Sequence, residues 1–416
     1  MTMHRVLRLR VLALTTVVLA SGCALVLDLP SPALQSSIGA DGGASDAAGS
    51  DGGVGGDGAT TGDGALCDLS LPQNCGACGI DCSGGKCTGG VCMLTSGYGG
   101  SDLRSPYGLT VVGDDVYVAV YASNAVGIGR CSTRGCQSTG MTPFVPYDEG
   151  TTTLQPTKLI HDDAGTLFWT SQRNSDYPTN GVYRTELDGS TVQLNENNPQ
   201  IAVGGIELQD DNVLWTSDDT DGGAFVCKKT GCGATPTRVD TGGERGNGRD
   251  VVLTPNGVVW AMAGKTGGEL AFCSSATCAD GGLLIANGNS DLATDGKYVY
   301  FQTYDGALAR AQIEPPTTGR TVLVEASKLP TKPRSLLIVN GWLYWRCQGT
   351  PPDDGGLTTD GLIQKCALPD CPTVVDVATG LAAPRGLATD GKALYWTSGG
   401  ASDRIDGLGA IYKTAL

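Results

Sequence analysis

A short aromatic phrase recurs along most of the chain and limits the folds available to it. It occurs seven times, as VYV, LFW, VLW, VVW, VYF, LYW and LYW, ending at Val118, Trp169, Trp215, Trp260, Phe301, Trp345 and Trp396. The spacings are 51, 46, 45, 41, 44 and 51 residues, and each phrase follows an apolar strand and a polar turn. Four short antiparallel strands in a repeat of this length are typical of a β-propeller blade. The sequence therefore predicts an all-β, seven-bladed β-propeller.

The repeated aromatic side chains could pack between blades or stack against sugars. Each blade packs face to face on its neighbours, so packing favours the same large flat side chain at the same place in every repeat. Burying one such side chain stabilises a fold by roughly 1.5–3 kcal/mol. We therefore interpret them as core residues of the blades.

The two ends of the repeat region predict how the ring closes. The last repeat stops after its third strand, at Leu416, whereas residues 91–106, VCMLTSGYGGSDLRSP, resemble a fourth strand with no blade before it. An N-terminal strand over 92–97 that completes the last blade would remove both unpaired edges. We place the propeller at residues 92–416.

The first 22 residues are typical of a secretory signal peptide, with a basic start and an apolar run over 11–20. That run is too short to span about 30 Å of hydrocarbon. Residues 20–23, Ala-Ser-Gly-Cys, resemble the lipobox of bacterial lipoproteins. The resemblance implies a lipid such as palmitate on Cys23 and a location at the outer membrane or cell surface. Cleavage without a lipid, which would give a secreted protein, is the alternative.

Residues 23–66 are rich in Gly and Asp and have few large apolar side chains. Such a segment cannot bury enough surface to offset its ordering entropy, and we expect a disordered linker. Without residues 1–22, which hold three arginines and no acid, the chain has 25 basic and 43 acidic residues, or −18. This charge argues against nucleic-acid binding, and we expect a monomer that meets the membrane only through its lipid.

Six cysteines lie within residues 67–92: Cys67, Cys75, Cys78, Cys82, Cys87 and Cys92. They could bind zinc, but an exported chain meets an oxidising environment, and three disulfides are the better interpretation. Their pairing is left open. The segment resembles Cys-rich modules that follow the linkers of bacterial surface lipoproteins, which implies location rather than chemistry.

Four repeats carry a Cys-x4-Cys pair: Cys131 with Cys136, Cys227 with Cys232, Cys273 with Cys278, and Cys366 with Cys371. The first cysteine of each pair is expected to end the third strand and the second to begin the fourth. Each pair is therefore predicted to form a disulfide across a hairpin, worth roughly 2 kcal/mol. Cys347 is left over and is predicted to be a buried free thiol.

The phrases LFWTS, VLWTS and LYWTS resemble the YWTD propeller family over about residues 92–416. That family has Asp where this chain has Ser171, Ser217 and Ser398, and it has six blades rather than seven. The resemblance implies the propeller architecture and no ligand.

A ligand site is predicted where the innermost strands begin. Arg249, Arg334 and Arg385 each lie two residues before the leading apolar residue of such a strand. The loops on the same face are acidic, with Asp218, Asp219 and Asp221 in one of them. Arginines ringed by acids could hold a carboxylate, a glycan or a partner loop, or they could pair with those acids and only seat adjacent blades.

Catalysis has little support in the sequence. After the signal peptide His161 is the one histidine, in the turn sequence IHDDAG on the opposite face from these loops, and no catalytic or metal residues are predicted. Acidic side chains could bind calcium, but no loop has the spacing of an EF-hand. We therefore expect a non-enzymatic, envelope-anchored propeller that binds a protein or glycan, without a cofactor. The alternative is a secreted hydrolase or lyase with a metal bound by acids at the axis.

Overall fold

The computed structural model describes residues 58–60, 66–69, 71–98, 101–103, 105–120, 127–145, 156–171, 181–195, 203–217, 223–239, 247–264, 267–274, 283–286, 288–313, 316–350, 358–399 and 409–416. The predicted signal peptide, Cys23 and most of the predicted linker lie outside these ranges, as do Asp218, Asp219, Asp221 and Cys278. No helix among the described residues has the length and apolar character needed to cross a membrane.

Six short strands precede the blades: β1 Gly58–Thr60, β2 Leu66–Asp68, β3 Lys86–Thr88, β4 Val91–Thr95, β5 Gly97–Tyr98 and β6 Ser101–Asp102. β1 pairs with β2, and β5 pairs with β6. The β1–β2 ribbon begins inside the segment predicted as a linker, so that part of it is a strand. Two 3₁₀ turns, Pro72–Asn74 and Ala326–Lys328, complete the described helical segments.

The first six blades are four-stranded antiparallel sheets in chain order. Their strands are, for blade 1, β7 Pro106–Val112, β8 Asp115–Val120, β9 Gly127–Ser132 and β10 Thr142–Val145; for blade 2, β11 Pro156–His161, β12 Leu167–Ser171, β13 Gly181–Thr185 and β14 Thr191–Gln193; for blade 3, β15 Val203–Gln209, β16 Asn212–Ser217, β17 Gly223–Lys228 and β18 Thr237–Arg238; for blade 4, β19 Asn247–Thr254, β20 Gly257–Gly264, β21 Gly267–Cys273 and β22 Leu283–Ala286; for blade 5, β23 Gly288–Thr294, β24 Tyr298–Thr303, β25 Leu308–Ile313 and β26 Pro316–Val324; for blade 6, β27 Pro333–Val339, β28 Trp342–Cys347, β29 Gly361–Ala367 and β30 Val374–Leu381.

Blade 7 is built from both ends of the propeller region. It contains β31 Pro384–Thr389, β32 Ala393–Ser398 and β33 Ala410–Ala415, and β4 pairs with β33 as its fourth strand. The register places Met93 opposite Tyr412 and Cys92 opposite Lys413. The predicted closure by an N-terminal strand is therefore confirmed. The sequence did not predict that β3 adds a fifth strand outside β4.

The first strand of each blade contacts the first strand of the next around the whole circle. β7, β11, β15, β19, β23, β27 and β31 touch in that order, and β31 returns to β7. These inner strands run antiparallel to the second strands, so the start of each inner strand lies beside the end of its second strand. We call the end of the ring where the inner strands begin the top end, and the other the bottom end.

The repeated aromatic residues form the cores of the blades, as predicted. Trp169, Trp215, Trp260, Trp345 and Trp396 have no exposed surface. Several of them stack on an aromatic residue of the third strand. The ring centroids of Trp169 and Tyr183 are 4.4 Å apart, for example, and Trp169 Nε1 donates a 2.9 Å hydrogen bond to Thr185 Oγ1. This packing explains why the same phrase recurs in each repeat.

Disulfides join the Cys-rich segment to the ring and link the hairpins. Cys75 pairs with Cys87, Cys82 pairs with Cys92 on the closing strand, and Cys78 is also disulfide-bonded. Three of the predicted hairpin links are present, Cys131–Cys136, Cys227–Cys232 and Cys366–Cys371, and Cys273 is disulfide-bonded as well. The second cysteine of each of these three pairs lies in the connection, before the fourth strand begins, and not in that strand as expected. Disulfides in such number are typical of proteins that fold in an oxidising compartment outside the cytoplasm.

Candidate functional site at the top end

Every inner strand has an irregular register near its start. The pairing with the second strand shifts in all seven blades close to the leading apolar residue. An irregularity of this kind re-aims the side chain that it contains. The residues immediately before the leading apolar residue are Gly108, Lys158, Gly205, Asp250, Asp291, Ser335 and Gly386. We call these seven residues the bulge ring.

Contacts between blades connect the members of the bulge ring. Lys158 Nζ of blade 2 reaches Asp250 Oδ1 of blade 4 at 2.5 Å, passing blade 3. Blade 3 has Gly205 at this position, and a methyl group there would lie 2.3 Å from the same Asp250 oxygen. Asp250 Oδ2 accepts a 2.9 Å hydrogen bond from the Leu292 amide of blade 5. The absence of a side chain at Gly205 therefore allows an ion pair between non-adjacent blades.

Asp291 and Ser335 continue the ring in blades 5 and 6. The Ser335 amide donates to Asp291 Oδ1 at 2.9 Å, and Ser335 Oγ donates to the Arg385 carbonyl of blade 7 at 2.7 Å. Both residues have left-handed backbone conformations, with φ of 50° and 52°. Such conformations cost roughly 1–3 kcal/mol in a non-glycine residue and concentrate at functional sites.

Three arginines lie beside this part of the ring, and we call Arg334, Arg346 and Arg385 the arginine cluster. Arg334 donates through Nη1 to Ser290 Oγ at 2.6 Å and to Asp291 Oδ2 at 3.2 Å. Arg346 lies directly opposite Arg334 in the register of β27 and β28, and its Nε donates to Ser335 Oγ at 3.3 Å. The Arg385 guanidinium carbon lies 4.1 Å from the centroid of the Tyr107 ring, and Arg385 is only 6% exposed.

The charged groups of the site shift one another's pKa values. Burial raises the pKa of Asp291, but the charges of Lys158, Arg334 and Arg346 outweigh it and hold the pKa below 3.8. Burial lowers the pKa of Lys158, but Asp250, Asp291 and Glu207 hold it above its usual value. Burial, helped by the charges of Arg334 and Arg385, lowers the pKa of Arg346 to about 10.

Glu207 of blade 3 lies two residues after Gly205. Its pKa is raised, whereas that of Asp291 is lowered. Burial and the charge of Asp250 raise its pKa from 4.5 to about 7, although Lys158 and the Leu208 amide act against the shift. The carboxyl group therefore takes up or releases a proton near neutral pH. Among the described residues the site combines four basic side chains, Lys158, Arg334, Arg346 and Arg385, with the carboxyl groups of Asp250, Asp291 and Glu207.

The structure unites two of the three arginines that the sequence singled out. Arg334 and Arg385 meet in the arginine cluster, whereas Arg249 is exposed on blade 4, two blades away from Arg334. The acidic loop residues Asp218, Asp219 and Asp221 lie outside the described residues, and the prediction for them stays a prediction. Sequence reasoning missed Lys158, Asp250, Asp291 and Arg346. A charged residue immediately before the leading apolar residue was the signal that could have identified the first three.

His161 is not part of this site. It is the last residue of β11, at the bottom end, and its Nδ1 lies 2.9 Å from Thr110 Oγ1 of blade 1. Burial lowers its pKa, against the opposing charges of Asp162 and Asp163. No group of three or more His, Cys, Asp or Glu side chains in the described part of the chain is placed to hold a metal ion.

Comparison with known proteins identifies the fold and no family. No protein-family model matches the chain, and no curated protein matches it. A solved streptogramin B lyase superposes with a TM-score of 0.53 at 15% identity, over 75% of this chain and 94% of that one. A catalytically inactive virginiamycin B lyase from Staphylococcus aureus, solved with quinupristin, gives 0.50 at 13% identity, over 76% and 96%. A puromycin-hydrolyzing peptidase from Mycobacterium tuberculosis gives 0.54 at 12%, over 78% and 54%. Likeness at these identities supports the β-propeller alone.

Proposed function

We propose that this protein is an exported β-propeller, anchored to the cell envelope by a lipid on Cys23, that binds a protein or glycan at its top end without catalysing a reaction. The observation that carries the proposal is the arginine cluster. Three arginine side chains are seldom gathered in one place, because their like charges repel one another. Their assembly at the top end of a disulfide-reinforced ring supports recognition of a ligand.

The anchor is the part of the proposal that rests on sequence alone. Ala20-Ser21-Gly22-Cys23 resembles a lipobox, and the chain carries disulfides suited to an extracytoplasmic compartment. We expect Cys23→Ala to move the protein from the membrane fraction to the soluble or secreted fraction. Wild-type protein that is found unlipidated in the medium would contradict the anchor and favour simple secretion.

The binding face can be tested with two exposed residues at opposite ends of the ring. Tyr304 follows β24 at the top end and is 54% exposed, and Leu187 follows β13 at the bottom end and is 51% exposed. Each is replaced in turn by a photo-reactive benzoylphenylalanine, and the protein is irradiated on intact cells of its source. We expect covalent adducts from position 304 and none from 187.

Adducts formed only from position 187, or from neither position, would contradict binding at the top end. The metal-dependent hydrolase or lyase remains the alternative hypothesis. It requires carboxylates from the top-end loops, such as Asp218, Asp219 and Asp221, to converge on one cation, with calcium as the candidate. Binding of calcium with loss of affinity in the Asp219→Asn variant would favour that alternative.

A further inference from the structure

The N-terminal residues that complete the ring also cover the seam between blades 7 and 1. We call residues 75–98 the clamp segment. Its strand β4 pairs with β33 of blade 7. Its backbone also accepts hydrogen bonds from the connection between β9 and β10 of blade 1. The Cys136 amide donates to the Leu94 carbonyl at 2.9 Å, and the Met141 amide donates to the Gly97 carbonyl at 2.8 Å. The clamp segment is therefore bonded to both blades and not only to the one that it completes.

Glycines let the clamp segment and blade 1 come into direct backbone contact. The Gly84 amide donates to the Arg134 carbonyl at 3.0 Å, and the Gln137 amide donates to the Gly84 carbonyl at 2.8 Å. A methyl group at Gly84 would lie 2.2 Å from the Gly135 carbonyl oxygen, so no larger residue fits there without movement. Asp81 adds an ion pair with Arg134 at 3.3 Å. These contacts hold the clamp segment on blade 1 in addition to its pairing with blade 7.

Lys413 of β33 connects the three parts of this seam. It is only 4% exposed, and its Nζ donates to the Asp81 carbonyl of the clamp segment and to the Thr133 carbonyl of blade 1. An ammonium group that is taken out of water needs partners of this kind, because its lost hydration is otherwise uncompensated. The burial of Lys413 therefore depends on the clamp segment and blade 1 being in place together.

Disulfides form most of the interior of the clamp segment. Within residues 75–90, all of which the structure describes, the buried side chains are two half-cystines and one isoleucine, and six residues are glycine. The bonds Cys75–Cys87 and Cys82–Cys92 span 12 and 10 residues of chain. Each cross-link of this size shifts a folding equilibrium by roughly a hundredfold on the chain-entropy estimate. A segment with so little apolar core is not expected to keep its shape once these bonds are broken.

We infer that the clamp segment is a redox-dependent lock on the ring. While Cys75–Cys87 and Cys82–Cys92 are formed, the seam between blades 7 and 1 opens only when the whole ring unfolds, and once they are reduced the seam opens by itself. Each bond forms when two cysteine thiols react with a disulfide donor. The two cysteine sulfurs become joined, and the donor takes up both protons and both electrons and leaves as two thiols. The ring is therefore locked in an oxidising compartment and can open at blade 7 in a reducing one, whatever ligand the top end binds.

The test measures amide hydrogen exchange of the full mature chain by mass spectrometry in native buffer. The variant is Cys82→Ser/Cys92→Ser, which removes the bond that ties β4 to the rest of the clamp segment. We expect exchange in β33 and in the β9–β10 connection to rise at least about tenfold, because docking at the seam loses a cross-link worth roughly a hundredfold. Exchange in β20 of blade 4, on the far side of the ring from the seam, should not change.

Matched controls separate the lock from a general loss of stability. Cys227→Ser/Cys232→Ser removes a hairpin disulfide from blade 3, and exchange in β33 relative to β20 should stay as in the wild type. Gly84→Ala weakens the same seam by pressing a methyl group on Gly135 but keeps every disulfide, so exchange in β33 and β20 should rise together. Gly319→Ala, where a methyl group meets nothing within 4 Å, should change neither strand.

The wild-type chain provides the redox readout. After refolding in a reducing buffer, its β33 should exchange faster than β20. Addition of oxidised glutathione, as the disulfide donor, should restore the protection of β33. The Cys82→Ser/Cys92→Ser variant should not regain that protection, because its β4 cannot be tied down again. If this variant fails to fold, Cys75→Ser/Cys87→Ser replaces it, with the same expected result.

Three results would overturn the inference. The first is a β33 strand that stays as protected as in the oxidised wild type, in the folded cysteine variant or in the reduced wild type. The second is an equal loss of protection in β33 and β20 on reduction, because the seam would then have no opening of its own. The third is faster exchange of β33 alone in Gly84→Ala, because the seam would then open by itself with its disulfides intact.

Discussion

Leu94 offers a direct test of whether the N-terminal strand belongs to the cooperative ring. It lies on β4, has no exposed surface and packs in one cluster with Tyr395 and Ile411 of blade 7 and Val118 of blade 1. Leu94→Ala therefore opens a cavity at the junction of the two ends of the propeller. Leucine-to-alanine changes in cores cost about 3 kcal/mol in free energy of unfolding.

The probe is Cys347, which lies in blade 6 and is far from Leu94 in sequence. Its thiol is fully buried, donates to the Thr331 carbonyl, and has a pKa raised by burial. It reacts with an alkylating reagent only when its surroundings open. If Cys347 becomes accessible only when the whole ring unfolds, a loss of about 3 kcal/mol in the free energy of unfolding raises the alkylation rate by roughly 150-fold. The reason is that about 1.4 kcal/mol corresponds to a factor of ten.

The assay follows alkylation of the Cys347 peptide by mass spectrometry without denaturant, beside urea unfolding followed by circular dichroism. Val375→Ala is the control, because this residue lies on the outer strand β30 of blade 6 and is 41% exposed. It should change stability by less than about 0.5 kcal/mol. Faster Cys347 alkylation in Leu94→Ala, in proportion to its lower stability, is the expected result. A destabilised Leu94→Ala whose Cys347 reacts at the wild-type rate would refute the coupling, because the closing strand would then open by itself.

Two further predictions concern the titrating acid and the disulfides. The raised pKa of Glu207 means that the folded chain keeps a proton that the unfolded chain loses between pH 4.5 and about 7, so stability falls as the pH rises through that window. Glu207→Gln should lack this fall, gaining up to about 3 kcal/mol over the wild type above pH 7, and an advantage that does not vary with pH would contradict it. Mass mapping of non-reduced peptides should find Cys75–Cys87, Cys82–Cys92 and each hairpin pair, including Cys273–Cys278. A link between blades would show that the strand assignment is wrong.

The fold could be predicted because its determinants are local and repeated. Each blade needs one large apolar side chain at the same place in its second strand, and that requirement appears as a phrase at regular spacing. The closing strand was also predictable, since a last repeat without a fourth strand leaves an edge that must be paired. The fifth strand β3 was not, because a short segment between cysteines carries no strand pattern.

The site was predictable only in part, because its residues come from different blades and are far apart in the sequence. Lys158 and Asp250 are 92 residues apart, and their contact depends on the glycine between them at blade 3. Arg249 and Arg334 occupy the same place in their repeats, yet only Arg334 faces a second arginine across the sheet, Arg346. Such differences arise from the neighbouring blade, which no single repeat specifies.

Closure by β4 also sets an order of events during folding. β4 and its partner β33 are 316 residues apart, from Thr95 to Ile411. Their pairing is entropically costly until the intervening blades have brought the two ends of the chain together. Meanwhile β3 can cover its other edge, because the two strands are joined by Gly89 and Gly90, whose φ values of 60° and 80° suit a tight hairpin turn. The β3–β4 hairpin can therefore form first and hold half of the closure ready until the last strand arrives.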